Sequence, residues 1–236
     1  MRVEWLFVDH IVDYPREELA LNETDMRREM RAELGIPHDA LVLCRHGGEA
    51  TFDIGFVRDN LAALVNRYDR LHAVLMNTNP LTECHWRIRE VTGTSAVAGK
   101  ARFFSACDAM LHARSDGETF GLAVAEFALR NKPVITFNGQ LPGYARAHLE
   151  ILGDSGLYYH DLASLFSVVD RFALHGVSER DWNVYSQYAR KVIMPKFELT
   201  FIKPALDWWE VVKIKGIEDV WEVAYEDLPL LDKQCK

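Results

Sequence analysis

DAMLHARSDGETFGLAVAEFALRNKPVI, residues 108–135, passes from a short apolar run into a glycine-bearing loop, then into a helix-spaced segment, then into a second apolar run after Pro133. The spacing predicts a strand over 108–114, a helix over 119–131 and a strand over 133–138. The same unit recurs on both sides. LVLCRHGG (41–48) is a short apolar run ending in two glycines, and residues 52–68 place Phe56, Val57, Leu61, Leu64 and Val65 at helical spacing. Further strands are predicted over 72–78, 87–95 and 156–160, and further helices over 98–107, 141–152 and 161–174, the last opened by Asp161 as an N-cap. Short apolar strands alternating with helices indicate the α/β class, a parallel sheet covered by helices on both faces.

Composition narrows the function. A chain of 236 residues that is 49% hydrophobic can bury a full core. A net charge of −8 argues against nucleic acid or an anionic membrane as a partner, because either grip usually needs a basic face. Cys44, Cys84, Cys107 and Cys235 stand far apart without a CxxC pair, so neither a zinc site nor a disulfide scaffold is suggested and a reduced, cytoplasmic setting fits. No run approaches the roughly eighteen apolar residues needed to span a bilayer. The opening MRVEWLFVDHIVDYP has acids and a proline where a signal peptide is apolar. The polar run over 16–34 reads as a loop passing into a short helix that stops at Gly35-Ile36-Pro37. Residues 176–236 read as a Trp-rich helical extension packed on the sheet domain.

Ligands of an open parallel sheet bind outside the carboxyl ends of its strands. Both glycine stretches, RHGG and DGETFG, fall at such ends. In the second, the residues around Thr119 to Leu122 open a helix, whose first N–H groups lack intrahelical partners and favour an anion. Gly121 removes the Cβ that would hold a phosphate away from them. Glu118 stands just before this helix and Glu126 two turns along, with seven residues between. An ionised carboxylate only accepts hydrogen bonds and suits a vicinal diol. Two hydroxyl-rich groups flanking a diphosphate, as in a nucleotide sugar, fit that arrangement.

The 108–135 stretch resembles the donor-site signature of retaining GT-B glycosyltransferases, especially the large group 4 type: Glu, seven residues, Glu (EX7E), with Phe-Gly after the first acid and a Pro-Val strand after the helix. The resemblance extends more loosely from about residue 36 to about 170, with IPHDALVLCRHGG similar to the first strand and glycine loop of that family's C-terminal half. It implies a Rossmann-like nucleotide-sugar-binding domain over 36–175, preceded by an interdomain-like segment and short helix over 1–35 and followed by the extension over 176–236. By the same resemblance, Glu118 binds sugar hydroxyls, the backbone at Phe120, Gly121 and Leu122 binds phosphate and sugar, and Glu126 binds the ribose. Arg45 helps neutralise the diphosphate, and Gly47 and Gly48 allow close approach. No metal or further cofactor is implied, the nucleotide sugar being the donor substrate. A lysine that the family carries a few residues after the arginine is missing from HGGEATF, with Arg58 and Lys100 as substitutes.

By the same resemblance an acceptor-binding half of similar size would stand before this domain, and 236 residues leave no room for it, as expected of an excised domain, a truncated reading frame or one subunit of a split enzyme. The expected function is therefore donor binding for glycosyl transfer to a glycan or other hydroxyl acceptor. A separate acceptor-domain polypeptide or a homo-oligomer would complete the site. Two other readings stay open: a noncatalytic nucleotide-sugar-binding subunit, and a nucleotide-sugar epimerase. An oxidoreductase is disfavoured because CRHGGEATF stands where GxGxxG would follow the first strand. His46 and His112, near strand ends, read as hydrogen-bonded structural residues ahead of acid–base groups. Asp116 reads as a cap or turn, and His10 as a linker residue.

Overall fold

A helix without interruption, α1 (Arg16–Glu33), stands where the sequence suggests a loop and a short helix. The computed structural model describes residues 16–94, 97–119, 121–130 and 132–175, so the expectations for 1–15, for Phe120 and for 176–236 lie outside it. Between Arg16 and Glu33 neither glycine nor proline occurs, and good helix formers carry the polar run as one helix. It stops where the sequence signals. Gly35 takes φ +64°, Gly35 N–H donates to Ala32 O at 3.1 Å and Ile36 N–H to Arg31 O at 2.8 Å, which is the paired pattern of a Schellman stop.

The strands are β1 (Leu41–Arg45), β2 (Leu71–Met76), β3 (Ile88–Val91), β4 (Ala109–His112), β5 (Gly117–Glu118), β6 (Val134–Phe137), β7 (Ala145–Arg146) and β8 (Leu157–Tyr159). Six of them form one sheet in the order β3-β2-β1-β4-β6-β8, every neighbouring pair parallel. This is the doubly wound order of a Rossmann-like sheet, whose direction of winding reverses between β1 and β4. Alternate residues of each strand face opposite sides, and two buried clusters result. Val42, Cys44, Met76 and Met110 join Phe103, Phe104 and Phe127 on one side. Leu43, Leu75, Leu111 and Ile135 join Val57, Leu64 and Val169 on the other. The first cluster is roofed by α1, α4 (Val97–Ala106) and α5 (Leu122–Leu129). The second is roofed by α2 (Gly55–Asp59), α3 (Leu61–Asn66) and α7 (Leu162–His175).

Three elements differ from the sequence expectation. The helix over 52–68 breaks at Asn60, which closes α2 and opens α3 with φ −111° and ψ 10°. The helix over 141–152 is shortened to α6 (Ala147–Leu152), because Ala145 and Arg146 form β7 instead. β5 and β7 make a separate two-stranded parallel ladder, Gly117 opposite Ala145 and Glu118 opposite Arg146. Asp161 caps α7 as expected: its Oδ1 accepts Ser164 N–H at 2.7 Å, and Ser164 Oγ accepts Asp161 N–H at 3.0 Å.

The cysteine expectation is corrected. Cys44, on β1, and Cys107, between α4 and β4, form a disulfide with Cα atoms 5.7 Å apart, and no cysteine among the described residues is free. Spacing conceals this pairing because 63 residues separate the two positions; the fold brings them together by placing β4 beside β1. Nearby, Arg31 is 1% exposed. It donates to Ala106 O, His38 O and Ala40 O and pairs with Asp108 at 2.7 Å, fastening α1 to the amino end of the sheet.

Candidate functional site

The site is built where the winding reverses, at the carboxyl ends of β1 and β4. The loops that leave these strands are tied to each other by Asp53, whose N–H donates to Ala113 O at 2.9 Å. Its carboxylate accepts Ser115 N–H at 2.7 Å and Ser115 Oγ–H at 2.6 Å.

Arg45 ends β1, and it turns inward. Only 2% exposed, its guanidinium donates to Met76 O at 3.0 Å, Thr51 Oγ1 at 2.6 Å and Gly47 O at 3.4 Å, and also to Asn77 O and Gly48 O. Burial, followed by the nearby charge of Arg58, pushes its pKa down to about 10. Asn77, itself left-handed at φ 55°, donates from Nδ2 to Gly47 O at 2.9 Å. The glycine loop of Gly47 and Gly48 is thus shaped from below by Arg45. A Cβ on Gly47 would stand 3.3 Å from the Arg45 guanidinium, so close approach here is needed by the protein's own arginine. Arg58, one substitute for the missing lysine, donates to Phe52 O and Pro80 O at 2.9 Å and to Asn79 O at 3.3 Å.

Lys100, the other substitute, meets the second acid. Glu126 is 4% exposed, with Lys100 Nζ 2.8 Å from Oε1 and His46 Nε2 3.2 Å from Oε2. The His46 ring stands edge-on to Phe104. Burial pushes the Glu126 carboxyl up, but the His46 hydrogen bond and the Lys100 charge outweigh it and hold the pKa below the ordinary value. Glu126 is ionised at neutral pH. These partners occupy two of a carboxylate's roughly four lone-pair positions.

Glu118 stands on β5, with His112 Nε2 3.3 Å from Oε1 and Arg114 Nη1 3.0 Å from Oε2. Its pKa too is lowered: burial raises it, and the His112 hydrogen bond and the charges of His112 and Arg114 overcome that. Between the acids lies the start of α5. Gly121 is its N-cap at φ 89°, and no side chain caps the helix. A Cβ on Gly121 would come within 3.3 Å of Glu118 Cβ and His148 Cβ. The cap residue thus has no side chain of its own to accept from the first N–H groups of α5, which begin between the two acids. Leu122, next in line, is 51% exposed.

The structure thus gathers Glu118, Gly121, Leu122 and Glu126 around one helix start, with the Gly47-Gly48 loop beside them and Arg45 behind that loop. His46 and His112 are hydrogen-bonded, as the sequence suggests, but their partners are the two acids: His46 meets Glu126, and His112 meets Glu118 together with Arg114, which the sequence does not single out. The signal available was their position, His46 and His112 each lying at the end of a strand that runs into a glycine-bearing loop. Among the described residues no cluster of His, Cys, Asp or Glu could hold a metal ion, and no helix is long and apolar enough to cross a membrane.

No protein-family model and no curated protein matches the chain. Solved structures do share its fold. HepE of Anabaena in complex with UDP aligns with a TM-score of 0.58 at 15% identity, over 81% of this chain and 55% of that one. WaaG, a glycosyltransferase involved in lipopolysaccharide biosynthesis, aligns at 0.54 and 15% identity, over 82% of this chain and 54% of that one. The C-terminal domain of the group 1 family glycosyl transferase LpcC from Francisella tularensis aligns at 0.52 and 16% identity, over 72% of this chain and 92% of that domain. The chain spans about half the length of HepE and WaaG and shares its fold with all three, two of which, WaaG and LpcC, are described as glycosyltransferases.

Proposed function

We propose that this chain is the donor-binding, C-terminal half of a retaining GT-B glycosyltransferase and that it binds a nucleotide-diphosphate sugar. The observation that carries this reading is the placement of two ionised glutamates on either side of an uncapped helix start, at the point where the sheet reverses its winding. The alignment with an isolated C-terminal domain and with a structure containing UDP supports it.

In this reading the diphosphate lies on the N–H groups of α5 beginning at Leu122, with the backbone of Phe120 and Gly121 alongside. Glu126 accepts from the ribose diol, and Glu118 from the sugar. Loss of the glycosyl group leaves negative charge on the diphosphate. The α5 start, the amides of the Gly47-Gly48 loop and Lys100 stabilise that charge as it develops, which is electrostatic preorganisation. Arg45 acts through the loop it holds. The acceptor hydroxyl approaches from the face that the diphosphate leaves, giving retention, and is bound by a second domain of the same polypeptide or of a partner.

Calorimetric titration with UDP, GDP, ADP and their hexose conjugates tests the reading. We expect saturable binding of UDP by the wild-type chain. Glu126→Gln keeps the shape of the side chain but weakens its acceptor character, and should lower UDP affinity about tenfold, roughly 1.4 kcal/mol. A folded chain that binds none of the nucleotides, or a folded Glu126→Gln variant with unchanged affinity, would overturn the assignment.

A further inference from the structure

Resting on that reading, we infer that His112 is the positioning residue of the donor-sugar subsite: it fixes the Glu118 carboxylate for the sugar hydroxyls and is itself fixed by Thr136. The inference begins from an anomaly of composition. β4 is buried along its whole length and has a parallel neighbour on each side, an environment that favours apolar side chains. His112 nonetheless ends it, 5% exposed.

Its polar atoms are met from three directions. Thr136, fully buried on β6 and opposite His112 in register, places Oγ1 2.8 Å from Nδ1. Tyr159 of β8 donates its hydroxyl to the His112 carbonyl at 2.8 Å. On the far side Nε2 lies 3.3 Å from Glu118 Oε1. A carboxylate can only accept, so the proton sits on Nε2. In the neutral ring Nδ1 is then the acceptor of the Thr136 hydroxyl. The other ring beside it, His148 at a centroid distance of 5.1 Å, lies 3.2 Å through Nε2 from the Tyr144 hydroxyl and meets Glu118 through its backbone and charge, so the side-chain bond to the Glu118 carboxylate from the sheet is left to His112.

Glu118 needs such a device. It lies on a two-residue strand, and a glutamate side chain held in one rotamer gives up conformational entropy that a firm partner must offset. Arg114, its other partner, is 32% exposed along the side chain, whereas His112 is anchored in the sheet. His112 is too deeply buried to meet the sugar, so it acts through Glu118.

The test is a pair of titrations, UDP and UDP-glucose, on wild type, His112→Ala, His112→Gln and Thr136→Val. Glu118 addresses the sugar and Glu126 the ribose, so the expected signature is a change in the ratio of the two affinities. His112→Ala should weaken UDP-glucose about tenfold, the loss of a charge-assisted hydrogen bond, and change UDP by less than about twofold. Thr136→Val should move the ratio in the same direction by about threefold, a neutral hydrogen bond being weaker. His112→Gln, whose amide can still donate, should recover part of the loss. A parallel loss for both ligands would mean that His112 only supports the fold, and an unchanged ratio in the folded Ala or Val variant would remove the positioning role. If GDP or ADP is the nucleotide bound, the same ratio is read on that nucleotide and its hexose conjugate, and wild-type protein that binds none of these pairs would instead overturn the donor-site reading beneath it.

Discussion

Two buried histidines make stability depend on pH in a way that single residues can report. His72, on β2, is 1% exposed, and His148, on α6, is fully buried. Burial first, then the surrounding cations, Arg87 and Arg89 foremost, pushes the His72 pKa down to about 4. Burial and the neighbouring His112 push that of His148 down to about 3. Both rings are therefore neutral in the fold at neutral pH. As pH falls below the ordinary value of 6.5, the unfolded chain takes up protons that the folded chain refuses, and stability declines. By linkage each contributes a loss of about 2 kcal/mol between pH 7 and pH 5. Glu118 and Glu126 act lower, since their depressed values keep their contribution intact until pH drops below 4.5. Urea unfolding at pH 7 and pH 5 should show the decline, and His72→Phe should remove about half of it. A midpoint that does not move between the two pH values would contradict the buried-neutral assignment.

The β5–β7 ladder is the smallest element of the fold and the one that aims Glu118. Its tightness is concentrated at Gly117, where φ is +67° and an added Cβ would lie 2.0 Å from Ala145 O. Gly143 has a similar φ of +72° and nothing within 4 Å of its missing Cβ. Gly143→Ala should therefore cost only the left-handed backbone term, about 1–2 kcal/mol. Gly117→Ala must also part the two strands, so urea unfolding should show a larger loss and titration should show weakened UDP-glucose binding. Equal losses for both variants would show that the ladder contributes nothing. This element was also invisible in the sequence: Ala145 and Arg146 sit in a helix-forming run, and only Asp116 O accepting Ala145 N–H at 2.8 Å and the parting of Gly117 from its own strand turn them into β7. Elements that carry their own signal were legible. β1, β2, β4 and β6 show as apolar runs because both faces are covered, the edge strand β8 shows in its tyrosines, and the α1 stop shows in Gly35. The break at Asn60 left no periodic trace, since the apolar residues on either side keep facing the same cluster.

For the whole molecule, the parallel order with its reversal between β1 and β4 brings two glycine loops together that are about seventy residues apart in sequence. The spacing of Glu118 and Glu126 could be read in advance because one helix start carries it. Their partners could not: Lys100 and His46 reach Glu126, and Arg45 turns into the protein, through contacts that exist only once the sheet has assembled. Such long-range pairings decide which charges are open to a ligand and which hold the scaffold. The Cys44–Cys107 link runs beside that reversal and closes a loop containing β2, β3 and the helices α2 to α4. That loop includes an exposed stretch at Thr82 and Glu83. A protease that cuts after Glu83 would leave a front piece whose single cysteine is Cys44, still tethered to the back piece. On a gel without reductant the nicked protein should migrate as one species and separate into two once thiol is added; two bands without thiol would show that the link does not form.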